Sequence, residues 1–154
     1  GRSKRPTLCA NGKPLLARDF TYGEAVKVRE GKDAAILALG AMAGRAVQAA
    51  ELLERQGLHT AVYAVSCPLE IDESALTEAF QTGTVLTVED HNVNSGMGSL
   101  WLARAEELGL RAAARRLGVH RYGDSGPSEE VYAAMGLSAD AIAAALEDLK
   151  KVAR

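Results

Sequence analysis

The thirteen residues "TVEDHNVNSGMGS", from Thr87 to Ser99, concentrate most of the chemistry this sequence offers. Glu89, Asp90 and His91 could form an acid–base cluster, with a carboxylate raising the imidazole pKa. Gly96 and Gly98 could free backbone N–H groups at the start of a following helix, where the helix dipole favours a phosphate or a carboxylate. Each reading has a plainer counterpart. Adjacent strand residues point to opposite faces, so the three side chains converge only where the chain bends. Otherwise Glu89 and Asp90 receive backbone N–H bonds, and His91 lies at a contact surface. A dinucleotide fingerprint would need a third glycine where Trp101 stands. Elsewhere the chemistry is sparse. His59 and His120 are scattered and form no metal site. Ser66, Ser74, Ser125 and Ser128 sit in turn or capping contexts, and neither a nucleophile elbow nor a Walker loop occurs.

The elements around this stretch alternate between strand and helix. "AVKVRE" (25–30) alternates apolar and charged residues like an edge strand, and "AAILALGAM" (34–42) fits a strand buried on both faces. Gly44 to Gln56 carries Val47, Ala50 and Leu53 on one helical stripe, with Gly57 as the stop. "TAVYAVSC" (60–67) is the next strand, ended by Pro68. Asp72 caps a helix bearing Leu76, Ala79 and Phe80, with Ile71 as its staple. "TVLTVE" (84–89) is a third buried strand and 98–110 a helix to which Leu100, Trp101 and Leu108 give apolar mass. A strand over 117–122 follows, then a turn opening a helix at Pro127 with Glu129 and Glu130 in its first turn. The last helix begins near Ser138 and presents Ile142, Leu146 and Leu149. Strands alternating with helices through right-handed crossovers predict a three-layer α/β/α sandwich.

The 154 residues suffice for one domain with a real core, and the net charge of −2 gives no reason to expect nucleic acid. Cys9 and Cys67 match no metal spacing; a buried Cys67 thiol rather than a disulfide suits a cytoplasmic protein. No apolar run approaches the roughly 20 residues of a membrane helix. Residues 1–18 carry Arg2, Lys4, Arg5, Lys13 and Arg18 without an acid, and residues 1–24 read as an extended arm or linker preceding a domain over 25–154.

The order of "VREGKDAAILALGAMAGRAVQAAELLERQGL", "TVEDHNVNSGMGS" and "YGDSGPSEEVYAAMGLSADAIAAALEDL" resembles the C-terminal domain of transketolase-like, thiamine diphosphate-dependent enzymes, from about Arg2 to Leu149. The resemblance implies a five-stranded, mostly parallel sheet with an antiparallel edge strand. It also implies an enzyme that moves two-carbon ketol units between phosphosugars. Its partners would be N-terminal and pyrimidine-binding domains or a separate catalytic subunit, the whole forming a homodimer. Thiamine diphosphate and a divalent metal would be bound by those domains, which lie outside this chain. They would not be bound by this chain directly, so the chain alone would be inactive and contain no catalytic residue. One substrate contact carries over: "RSKRP" places Arg5 where transketolases grip the sugar phosphate, with Lys4 departing from the usual small hydroxyl residue. Glu89, Asp90, His91, Gly96 and Gly98 would then form a hinge facing another domain or subunit. Three alternatives remain, of which the first two are a stand-alone α/β module that recruits a partner subunit, and the matching domain of a thiamine-dependent synthase or dehydrogenase. A third is a free-standing sensor using Gly96–Gly98 as an anion site.

Overall fold

The computed structural model describes residues 14–16, 19–121 and 125–152. Arg5, Cys9, Tyr122 and the Gly123–Asp124 half of "GDSG" (123–126) lie outside the described residues. Five strands form one sheet: β1 (Ala25–Arg29), β2 (Ala34–Leu39), β3 (Thr60–Val65), β4 (Thr84–Asn92) and β5 (Ala113–Val119). Helices α1 (Met42–Glu54), α2 (Glu73–Gln81), α3 (Met97–Glu107), α4 (Ser128–Ala134) and α5 (Ala139–Val152) connect and follow them. The spatial order is β1-β3-β2-β4-β5, with only β1 antiparallel to its neighbour. The expected mixed sheet with an antiparallel edge is therefore present.

Alternation along the strands divides the interior. Ile36, Ala38, Val62, Ala64, Leu86 and Val88 face α1 and α5 and meet Ala46, Leu53, Ile142 and Leu146. Leu37, Leu39, Tyr63, Val65 and Val85 face α2 and α3, where Leu76, Phe80 and Trp101 lie. Both faces of β2 and β3 are covered, which is why those strands read as unbroken apolar runs. Each fully buried Leu or Ile contributes roughly 1.5–3 kcal/mol through removal from water. Leu15 adds to the first layer from the segment before β1. Among the described residues no helix is long and apolar enough to cross a membrane.

Several boundaries move. The strands expected over 34–42 and 60–67 stop at Leu39 and Val65; the first ends where Gly40 turns the chain at φ +54 and α1 starts at Met42. β4 runs on to Asn92, so Asp90 and His91 extend the strand expected to end at Glu89 rather than opening a loop. β5 begins at Ala113, four residues earlier than the pattern around Leu117 indicates. Its arginines hid the period, since an edge strand tolerates charge on both faces. Leu100 and Leu108 face outward from α3, whose buried apolar mass is Met97, Trp101 and Ala105. Cys67 is half-buried and free rather than fully buried.

The start of α2 follows its sequence signals. Asp72 accepts the Ala75 N–H at 3.0 Å through one carboxylate oxygen, and the Ala25 N–H at 3.0 Å through the other. Ile71 packs in the same layer as Leu76, as a staple requires. One side chain thus caps a helix and fastens the edge strand. Asp72→Ala is expected to cost about 1–2 kcal/mol in urea unfolding, at the upper end for a lost cap, with faster amide exchange at Ala25.

Candidate functional site

β4 ends at the carboxyl edge of the parallel strands, and three consecutive side chains there take three separate positions. Glu89 points inward and is completely buried. Its two oxygens accept the backbone N–H groups of Met97 at 2.7 Å and Gly98 at 2.9 Å, the first turn of α3. A carboxylate at that point satisfies two otherwise unpaired helix donors and opposes the positive end of the helix dipole. The anion expected at Gly96–Gly98 is therefore supplied by the protein itself.

The glycines make this approach possible. A Cβ on Gly96 would lie 1.9 Å from the Glu89 carboxylate, and one on Gly98 would lie 2.3 Å from Thr87 Oγ1. Gly96 has φ −88, so contact, not backbone conformation, selects glycine there. Close helix–strand packing is thus achieved at Gly98, one turn before Trp101, whose indole N–H donates to the Pro68 carbonyl at 3.1 Å. Thr87 Oγ1 is buried against Gly98 without a hydrogen-bond partner.

Asp90 turns the other way. One of its oxygens accepts the Tyr132 hydroxyl at 3.1 Å, and the other lies 3.1 Å from His91 Nδ1. The Arg45 guanidinium stacks on the Tyr132 ring at 4.0 Å and donates to Glu129 at 2.6 Å. This array joins α1, α4 and the end of β4. It leaves the His91 side chain 63% exposed, the outermost group of the row. The three residues do not converge as an acid–base cluster: Glu89 is sealed under α3, while Asp90 and His91 meet outside it. A register shift between Val88 and Asn92 accompanies the divergence. Arg45 and Tyr132 carry no local sequence signal, because they reach Asp90 only through the fold.

The loop after β4 is held at several points. The Asn94 N–H bonds the Asn92 side chain at 2.9 Å, and the Ser99 hydroxyl donates to the Val93 carbonyl at 3.0 Å. Arg116 of β5 donates to that same carbonyl at 3.0 Å and to Ser99 Oγ at 2.5 Å. His59 is exposed and near Glu54, remote in sequence from this row, and His120 is exposed just after β5.

Burial, then the charge of Asp90, hold the Tyr132 phenol above its ordinary value of 10.0, against the opposing pull of Arg45. The folded state thus keeps a proton that the unfolded chain releases near pH 10, and stability falls as pH rises through that point. Tyr132→Phe is expected to lose about 1 kcal/mol at pH 7 with its hydrogen bond, while flattening the alkaline limb of the stability–pH curve. Chemical denaturation between pH 7 and 11 checks both.

The described residues do not suit a diphosphate or its metal. The α3 N-terminus is filled by Glu89, and no group of three His, Cys, Asp or Glu side chains among them could hold a metal ion. A shallow depression of about 200 Å³ on α4, lined by Arg121, Glu130 and Met135 among others, involves neither Gly96 nor Gly98.

Comparison with known proteins gives this geometry a family. The family model "Transketolase, C-terminal domain" matches residues 23–142. A 1-deoxy-D-xylulose-5-phosphate synthase of Syntrophotalea carbinolica is 35% identical over 137 residues, covering 88% of this chain and 22% of the relative. A 6-deoxy-6-sulfo-D-fructose transketolase subunit of Clostridium sp. is 38% identical over 135 residues, covering 85% of this chain and 41% of the relative. Among solved structures, the inactive beta4 tetramer of a split-gene transketolase superposes with a TM-score of 0.81 at 30% identity, over 88% of this chain and 45% of that one. The chain therefore spans less than half the length of each of these relatives. The family match runs from before β1 into the first turn of α5, through all five strands and the Glu89-capped helix: the chain belongs to the transketolase C-terminal domain family.

Proposed function

We propose that this chain is the non-catalytic C-terminal domain of a thiamine diphosphate-dependent enzyme of transketolase type, transferring two-carbon ketol units between phosphosugars. It contributes assembly contacts and part of the outer substrate channel. The cofactor and its metal are held by other domains or by a partner subunit. The observation that carries this reading is the Glu89 cap: the helix donors that could have held a ligand are consumed inside the fold. What the site offers outward is His91, buttressed by Asp90, Tyr132 and Arg45. That is the surface of a contact, so the Glu89–Gly98 unit is architecture and His91 faces another domain or subunit of a homodimer. Arg5 is assigned to the phosphosugar's phosphate, a role for which a bidentate guanidinium is well suited.

A second reading, the corresponding domain of a synthase, draws on the 35% identity to a protein named 1-deoxy-D-xylulose-5-phosphate synthase. Joining the chain to the thiamine-binding part encoded upstream or in a neighbouring frame tests both. Ketol transfer between phosphosugars that requires both parts supports the first reading, and formation of 1-deoxy-D-xylulose 5-phosphate instead supports the second. Tight thiamine diphosphate binding by this chain alone would overturn both.

A further inference from the structure

The two edges of the sheet treat their charges differently. On β1, Lys27 pairs with Glu30 and Glu78, and Arg29 pairs with Glu54 at 2.7 Å. On and beside β5, Arg111, Arg115, Arg116, His120 and Arg121 fall within one short stretch, and no acid occurs from Leu108 to Gly123. All five are exposed. Among the described residues none of these arginines enters an ion pair. Arg115 donates to the Ala145 carbonyl at 3.3 Å, and Arg116 to the neutral acceptors of Val93 and Ser99. Their positive charge is left for something outside the described fold.

The backbone of this strand is open as well. Among the described residues β5 pairs with β4 alone, and it is the last strand of the sheet on that side. The Ala113 N–H bonds the Gly83 carbonyl and the Val119 carbonyl accepts from the Val93 N–H, both toward the β4 side. The alternate N–H and C=O groups of a parallel edge strand face outward and can pair with an incoming chain. Leu86 pairs with Arg115 and Thr87 with Arg116, so the two arginines flank opposite faces of the open ladder.

A second copy of this chain is a poor occupant, since edge-to-edge pairing would set arginine against arginine. We propose that β5 is a docking edge for an extended acidic segment of another polypeptide, which adds as a sixth strand. Its carboxylates pair with Arg111, Arg115, Arg116 and Arg121. Adjacent acids on the incoming strand match best, because one points to the Arg115 face and the next to the Arg116 face. This docking goes beyond the thiamine reading and is independent of which ketol chemistry the whole enzyme performs.

The test uses the ¹⁵N-labelled 154-residue chain and the blocked octapeptide Thr-Val-Thr-Glu-Glu-Val-Thr-Val at low salt. Amide shifts and slowed exchange confined to Ala114–Gly118 are expected. The same peptide with Lys-Lys in place of Glu-Glu should bind about tenfold more weakly or worse, as should the R111Q/R115Q double variant. Raising salt should weaken binding to the unsubstituted chain, a readout that needs no variant. No response of β5 at about 2 mM peptide, a concentration that detects even weak association, would overturn the proposal. So would equal binding of the lysine peptide, or a β5 response to duplex DNA with none to the acidic peptide.

Discussion

Glu89→Ala should lower the unfolding free energy by about 3–5 kcal/mol, among the largest effects available to a single side chain in this domain. Two terms add. The Met97 and Gly98 N–H groups lose a charged acceptor, and each such bond is worth roughly 1.5–3 kcal/mol, offset in part because a carboxylate no longer has to be kept out of water. The removed side chain was also completely buried, so it leaves a void that close packing at Gly96, Gly98 and Gly118 cannot readily fill. Glu89→Gln separates the terms. It keeps the volume and one carbonyl acceptor but turns an N–H₂ group toward donors, so its cost should be about half that of alanine. Urea denaturation gives the energies, and hydrogen exchange at Met97 and Gly98 shows whether the loss is local. An alanine variant as stable as the parent would show that the cap is incidental.

That cap also marks how far the sequence could be read. The sheet was legible because β2, β3 and β4 are buried on both faces, and their apolar runs exceed anything a solvated segment would carry. Asp72 and Ile71 announced α2 for a similar reason: their roles are local. β5 was read late because Arg115 and Arg116 interrupt its apolar alternation at an open edge. In the quoted stretch, the residue types were legible but their directions were not. Gly96 and Gly98 suggest an anion at a helix start, and an anion is there, yet it is Glu89, eight and nine residues from its donors. Composition cannot distinguish a cradle that waits for a ligand from one already filled by its own strand. The Arg45–Tyr132–Asp90 array was invisible for a stronger reason. Its members are separated by 42 residues or more along the chain, and only the crossing of α1, α4 and β4 brings them together.

The same geometry makes Gly96 and Glu89 an energetically coupled pair. Gly96→Ala would place a methyl group 1.9 Å from a carboxylate oxygen of Glu89, well inside van der Waals contact. At many sites a long side chain would swing aside at little cost. Here it cannot, because the carboxylate is held by two backbone donors and enclosed on every side. Displacing it forfeits those bonds and leaves a buried charge without partners, so the single substitution should cost about 3 kcal/mol. The decisive measurement is the double variant. With Glu89 replaced by alanine the obstacle is gone, and the methyl at position 96 enters the space the carboxylate vacated. G96A/E89A should therefore be less destabilised than the sum of the two singles by about 2 kcal/mol, an interaction energy typical of residues in direct contact. Additive losses would mean that Gly96 is required for a reason other than the cap. The backbone argues against that outcome, since φ −88 is open to any residue and alanine would suffer no strain there. The glycine is kept so that a strand carboxylate can reach the helix behind it.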